Sequence, residues 1–595
     1  MKYIVIVIPK NLLISGILIP PVSSFIILYH KFRIIEEHKF LKSFEILLVY
    51  IIFTLMTKII CTTLLVEKSP QALPLGAACV ASAIKHYPGT EKECQVKLIS
   101  FTREDEKIQA LKTDQEKADF IANRLLKEKP LIVCMSVFVW NRTIFELCAE
   151  RLHKQGVVII AGGPEITAHP EIFENSFDYP VSGEGELKVP RLIEKILSSG
   201  GKKLSKNEIL SCYKDTPAAI KDLSLLHSPY LDGTIDPTEF DGALWELARG
   251  CPFKCSYCYE SKGEKTVRLF PQERIDKELE LFARKKLSQV FVLDPTYNAN
   301  KERALTLLKK IAAKTPDTFY YFEARADFID RQLAKAFTKI PCALQIGLQS
   351  ADENVLRRVN RPFNKKLFVK NIGILNQEGV TFGLDLIYGL PGESFASFRQ
   401  GINFALSLYP NNLEIFCLSV LPGTELFDHA KELKLTFEKT PPYNIIKSES
   451  FSAEDKIKAE ALAQACTYFY NDGRAVPWFL TICRSLKIKP AAFFEDFYAF
   501  AKKKEISLKC CEHKVIEENQ IKFIAFMFKQ KNLTKYISAA TDIIRYNGAI
   551  SRKTASGISE KIHLSYPPEY IDSQFSLDLD YFVKNVRPKA CEIKI

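Results

Sequence analysis

The 595-residue sequence contains no internal repeat and no low-complexity tract, which excludes solenoid, propeller and fibrous architectures. Nothing near its amino end reads as a cleavable signal peptide. Its sixteen scattered cysteines are therefore not the framework of a stapled secreted domain, and reduced thiols in the cytoplasm are expected. What is there is an ordinary globular balance, 47% hydrophobic and 26% charged, over a length that implies three or four domains. The formal charge of +12 comes partly as short clusters such as Arg284-Lys285-Lys286 and Lys502-Lys503-Lys504, which suit solvated helix faces. No nucleic-acid partner is expected.

Residues 1–55 form a hydrophobic extension in which Leu12 to Tyr29 is an uncharged run of near-spanning length, interrupted by Pro20 and Pro21. The second run, Ile46 to Thr57, is too short to cross a bilayer. Met56 is the expected true start, because a strand pattern opens at Ile59, and a membrane partner is expected only if 1–55 are translated. Over 56–200, short β-rich runs alternate with helical patterns, with strands at Ile59 to Leu65, Gln95 to Phe101, Leu131 to Val137, Val157 to Ala161 and Tyr179 to Ser182. That rhythm predicts a doubly wound, Rossmann-like α/β sheet with ligands beyond the carboxyl ends of its strands. Residues 201–240 lack sustained periodicity and read as a linker. Over 241–430 a second alternation predicts strands at Leu244 to Ala248, Gln289 to Leu293, Phe319 to Arg325, Ala343 to Gln349, Thr381 to Tyr388 and Leu413 to Val420. Six βα units make a partial barrel, with its chemistry expected at the carboxyl ends of the strands. Residues 431–595 read as a mostly helical domain of unknown function, with Trp478, Phe493, Phe494, Phe497, Tyr498 and Phe500 as core.

The most specific segment is Arg249-Gly250-Cys251-Pro252-Phe253-Lys254-Cys255-Ser256-Tyr257-Cys258, directly after the first barrel strand. Three thiols on one tight loop can hold an iron-sulfur cubane while one iron stays without a protein ligand, free to chelate a substrate. The alternative is a zinc site or three unrelated cysteines, but zinc takes four ligands in paired units and no second Cys-x-x-Cys stands nearby.

With these residues the chain resembles the radical S-adenosylmethionine (radical SAM) superfamily over about 240–430. The resemblance implies a [4Fe-4S] cluster on Cys251, Cys255 and Cys258 as metal ligands. It also implies S-adenosylmethionine held by Phe253, Tyr257, Asp294, Thr296, Glu323, Arg325, Gln349 and Gly389. Asp294-Pro295-Thr296 departs from the family's glycine-glycine-glutamate. Gly347 to Ser350, Leu386 to Glu393 and Leu421 to Thr424 resemble its later strand ends, the first followed by Arg357, Arg358 and Arg361. In that family the reduced cluster cleaves the sulfonium to a 5′-deoxyadenosyl radical, with electrons from a flavodoxin- or ferredoxin-like reductant.

The segments Ser69 to Gly76, Ser136 to Asn141, Gly162 to Glu165 and Gly183 to Glu186 resemble the cobalamin-binding domain fused to many members of that superfamily. Gln71, Ser136, Trp140, Gly163, Glu165 and Glu184 are the implied cobalamin contacts. None of the nine histidines has an aspartate two places before it, so cobalt ligation by the usual Asp-x-His-x-x-Gly histidine is not expected. Three readings follow: cobalamin-dependent methyl transfer or rearrangement, a methylthiotransferase-like radical enzyme without cobalamin, and a non-enzymatic metal-binding sensor or scaffold. The residues name no catalytic acid or base and no substrate.

Overall fold

The computed structural model describes residues 56–200, 202–214, 216–261, 266–510 and 512–595. The extension 1–55 lies outside the described residues. Within one compact unit, Lys58–Ile595, two parallel sheets dominate.

The first sheet is ordered β2-β1-β3-β4-β5, from β1 (Thr57–Leu65), β2 (Cys94–Thr102), β3 (Ile132–Ser136), β4 (Val158–Gly162) and β5 (Tyr179–Pro180). Its strands are rich in Val, Ile and Thr, and successive residues are buried on opposite faces. Ile60, Val133, Met135 and Ile159 pack in the core shared with the helices Asp114–Leu126 and Arg142–His153. Ile59, Cys61, Ile132 and Ile160 pack in the core shared with Leu75–His86 and Lys188–Ser198. Helices on both faces make the sheet doubly wound, as the alternation predicts. The strand order reverses between β1 and β3, so the ligand crevice of such a sheet falls between the loops that follow these two strands.

The second sheet runs β13-β12-β11-β10-β9-β6, from β6 (Gly242–Trp245), β9 (Gln289–Val292), β10 (Phe319–Ala324), β11 (Cys342–Gln349), β12 (Phe382–Tyr388) and β13 (Asn412–Cys417), every pairing parallel. Six strands with unpaired edges at β6 and β13 are an open, partial barrel. One edge is covered by the carboxyl-terminal helices: the Asn471 amide donates to Leu413 O at 3.0 Å and accepts from Leu413 N at 3.0 Å, in place of a neighbouring strand. Those helices share a core with the barrel's outer face, and Phe469 packs within 5.0 Å of Phe493 and Phe497. Among the six aromatics expected as core, Tyr498 alone is only partly buried.

Three expectations shift. The first barrel strand stops at Trp245 rather than Ala248, because Ala248–Arg249 (β7) leaves the sheet to pair antiparallel with Arg268–Leu269 (β8) while Arg249 turns back onto Glu246 at 2.8 Å. The last stops at Cys417 rather than Val420, where Val420 N donates to Tyr443 O. Residues 201–240 hold a helix, Lys206–Tyr213, begun by a Ser205/Glu208 capping box, and they bury Ile220, Tyr230 and Ile235 against the barrel. Among the described residues no helix is long and apolar enough to cross a membrane.

Candidate active site

The cysteine loop leaves β7 through Gly250, whose φ of 88° turns the chain over the barrel mouth. Ser256 anchors it from both sides: its N–H donates to Val359 O at 3.0 Å and its carbonyl accepts from Leu426 N at 2.8 Å. Cys255 is buried and Cys251 and Cys258 are half-buried, and none of the three is in a disulfide. Arg361 ties the loop to β11, donating to Cys255 Sγ at 3.6 Å, to Tyr257 Oη at 3.4 Å and to the Gly347 carbonyl. Burial pushes the Cys251 thiol up and the Cys258 thiol up to about 11, so neither is a thiolate unless a positive centre sits against it. No three His, Cys, Asp or Glu side chains among the described residues converge on the position of one ion.

The inner face below carries polar groups beside aromatics such as Phe291 and Tyr321, where the outer face is apolar. Alternation along the strands, with the registers Glu323↔Gln345, Gln345↔Gly383 and Asp385↔Glu414, places Glu323, Gln345, Asp385 and Glu414 on the inner face. Enclosure in the lumen, with Asp385 and Glu260 nearby, pushes the Glu323 carboxyl up to about 7, although the residue as a whole is exposed. Burial likewise lifts Asp385 to about 6 against the hydrogen bond it accepts from Gln345. Around the rim, Arg325 lies over the Phe253 ring at 4.1 Å and pairs with Asp327, while its buried Nη1 has no hydrogen-bond partner. Gln349 stands at a bulge with φ 68°, its buried Oε1 also unpartnered. Such groups at a cavity rim are where a ligand completes the bonding.

Other predicted contacts are engaged in part or in full. Asp294 is 2% exposed, its Oδ2 accepting from Arg303 Nη1 at 2.7 Å while its buried Oδ1 has no hydrogen-bond partner, and burial raises its carboxyl. The Thr296 hydroxyl donates to Pro295 O and lies 4.0 Å from Cys251 Sγ. Gly389 has φ 86°, and its N–H donates to the buried Glu393 carboxylate at 2.9 Å. Gln345, Asp385 and Glu414 were not among the predicted contacts; their signal was polar residues at alternate positions of otherwise apolar strands.

At the first sheet, Gln71 is exposed on the loop after β1. Trp140, after β3, is 37% exposed, stacks on Phe138 at 4.5 Å and donates from Nε1 to Leu64 O at 2.9 Å. The Ser136 carbonyl accepts from the Asn141 amide at 3.1 Å. Gly163 has φ 105°, and a Cβ there would stand 2.6 Å from Val137 O, so only glycine fits. Glu165 is bound by Tyr443 Oη at 2.8 Å and Arg142 at 3.3 Å, and Glu184 by Arg268 at 2.8 Å and Ile220 N at 2.5 Å. The loops after β4 and β5 thus face the barrel: Tyr259 Oη donates to Pro164 O at 3.1 Å, and Arg249 pairs with Glu186 at 2.6 Å. The carboxyl-end loops of the first sheet meet the cysteine loop at the barrel mouth.

Residues 245–405 match the family described as the Radical SAM superfamily, and residues 431–558 match a protein of unknown function, DUF4080. The chain is 28% identical over 353 residues to the cobalamin-dependent radical SAM methyltransferase TokK of Streptomyces tokunonensis, covering 52% of this chain and 49% of that protein. It is 27% identical over 332 residues to the 2-(S-pantetheinyl)-carbapenam-3-carboxylate methyltransferase of Streptantibioticus cattleyicolor, covering 50% and 48%. The chain thus spans about half the length of these curated relatives. In fold it resembles the radical S-adenosylmethionine methyltransferase TsrM from Kitasatospora setae, solved with cobalamin and a [4Fe-4S] cluster, with a TM-score of 0.50 and 13% identity over 65% of this chain and 82% of that one.

Proposed function

We propose that this chain, whose residues 245–405 match the Radical SAM superfamily, is a cobalamin-dependent radical SAM methyltransferase acting on an unactivated carbon. The observation that carries this reading is the contact of the amino-terminal sheet's carboxyl-end loops, beside its switch-point crevice, with both ends of the three-cysteine loop. When bound, the cluster with S-adenosylmethionine supplies a radical able to take hydrogen from such a carbon, and cobalamin supplies a transferable methyl group.

The chain's own residues bind, orient and shield. Cys251, Cys255 and Cys258 would hold the cluster, their soft sulfur donors matching iron. Arg361 fixes the orientation of Cys255 through the hydrogen bond to its sulfur. Arg325 Nη1 and Gln349 Oε1 offer the unpartnered donor and acceptor for the S-adenosylmethionine at the rim, and Phe253 supplies an apolar face. Glu323 and Asp385, raised to about 7 and about 6, each exchange a proton near neutrality, so a cationic ligand entering the lumen would draw them toward the carboxylate. Trp140 presents its ring beside the crevice for the corrin. A flavodoxin- or ferredoxin-like reductant and a cytoplasmic location belong to the same reading.

Anaerobic purification and reconstitution test it. Iron and sulfide near four per chain, the expected content of one cubane, together with reductant-dependent 5′-deoxyadenosine and bound corrinoid, are the expected outcome. Cys255→Ala should abolish deoxyadenosine formation and leave the circular dichroism spectrum unchanged. Deoxyadenosine without any corrinoid binding would instead favour a methylthiotransferase-like enzyme. Zinc in place of iron would remove the radical chemistry altogether.

A further inference from the structure

The turn Gly183-Glu184-Gly185-Glu186 carries two carboxylates, and neither is left for a cofactor. Arg249 of β7 sits directly across the ladder from Arg268 of β8. Two arginines in that position repel one another. The 183–186 turn resolves the conflict from the other sheet: Glu184 pairs with Arg268 at 2.8 Å and reaches Arg249 at 3.6 Å, while Glu186 takes Arg249 Nη2 at 2.6 Å. Glu246 completes the set from the barrel side at 2.8 Å. The turn has little freedom to do otherwise, since Gly183 has φ 81° and a Cβ there would stand 2.6 Å from Ala218 O.

Arg249 lies two residues before Cys251. At the other end of the loop, Tyr259 follows Cys258 directly, and its hydroxyl donates to Pro164 O at 3.1 Å. Pro164 is held by Gly163, whose backbone is equally committed against Val137. Both glycine-rich loops of the amino-terminal sheet therefore grip the cysteine loop, one at each end.

We propose that these two loops act as a clamp that pre-shapes the cysteine loop, with Glu186, Arg249 and Tyr259 as positioning residues. The inference rests on the reading of Cys251 to Cys258 as the cluster loop. It assigns the amino-terminal domain a second task besides any cofactor it holds.

The test uses the full chain and begins without metal. Lys254, exposed within the loop, reports its order through tryptic cleavage mapped by mass. Glu186→Gln and Arg249→Met should each accelerate that cut about tenfold or more, as loss of a charge-assisted bond raises local opening. The double variant should be no faster than the faster single variant, because both remove one interaction. Tyr259→Phe should act in the same direction and less. If Arg249→Met does not fold, Glu186→Gln still decides, since it leaves Arg249 its contacts with Glu246 and Glu184. In the reconstituted chain the same substitutions should speed iron loss to a chelator about tenfold and shift the cluster's midpoint potential. Wild-type rates of cleavage, with iron retention and potential unchanged, would overturn the clamp. A wild type that takes up no cluster, with the proteolysis pattern as expected, would instead overturn the cluster reading and leave the clamp standing.

Discussion

The barrel mouth and the carboxyl edge of the amino-terminal sheet are both built from glycine turns and charged side chains, yet they treat their polar groups in opposite ways. At the barrel mouth, Arg325 Nη1 and Gln349 Oε1 are buried without partners, and Glu323 and Asp385 are lifted toward neutrality. At the sheet edge, Glu165, Glu184 and Glu186 all meet arginine. Unmet groups mark a surface shaped for a ligand, and met ones mark a joint. Sequence motifs of equal appearance can therefore serve binding in one place and assembly in the other.

The sharpest way to break this comparison is at the glycines. Gly163→Ala drives a Cβ into the Val137 carbonyl at 2.6 Å and demands φ 105° of an L residue. The backbone cannot yield, so a loss of about 3 kcal/mol is expected, read as a lower unfolding midpoint in denaturant. Gly389→Ala at the barrel mouth has φ 86° but meets only the Ile445 side-chain methyl at 2.7 Å. Its cost should be smaller, about 1 to 2 kcal/mol. Equal costs would mean that the joint is no more rigid than the mouth.

A pH titration separates the two regions next. Burial lifts the Glu393 carboxyl to about 8 from an ordinary 4.5, against the Gly389 and Leu390 amides and Ser350 that pull it down. Its folded value lies above its unfolded one, so the native state holds an extra proton between these limits. The associated stability is fully present below about pH 4.5 and is lost as pH rises through about 8. The slope is up to about 1.4 kcal/mol per pH unit within that window. Glu393→Gln should flatten the decline of stability between about pH 4.5 and 8, measured as unfolding midpoint against pH. An unchanged decline would show that the buried carboxyl is already ionised.

How much of this was legible beforehand follows from the range of each interaction. Val-, Ile- and Thr-rich runs announced the first sheet and Leu-, Phe- and Tyr-rich runs alternating with polar residues the second, because burial of a face is written within a strand. The cysteine spacing announced the loop for the same local reason. The pairings across the sheets were not readable: Glu186 and Arg249 are 63 residues apart, and Glu165 and Tyr443 are 278 apart. Glu165 and Glu184 therefore read as cofactor contacts, although their partners lie elsewhere in the chain. Asp385 and Gln345 were hidden differently, as single polar residues within strands recognised by their apolar neighbours.

The smallest expected effect falls on Trp140, which belongs to neither class cleanly. Its indole N–H is engaged with Leu64 O at 2.9 Å, as a joint residue's would be, while its ring is 37% exposed on Phe138, as a binding surface would be. Trp140→Phe removes the hydrogen bond and keeps an aromatic face. Stability should fall by about 1 kcal/mol, and corrinoid retention through gel filtration should stay close to wild type. Trp140→Ala removes both and should also lose corrinoid retention. If the two variants retain corrinoid equally well, the exposed ring is not part of the binding face, and the crevice between the loops after β1 and β3 must recognise its ligand through backbone groups and Gln71.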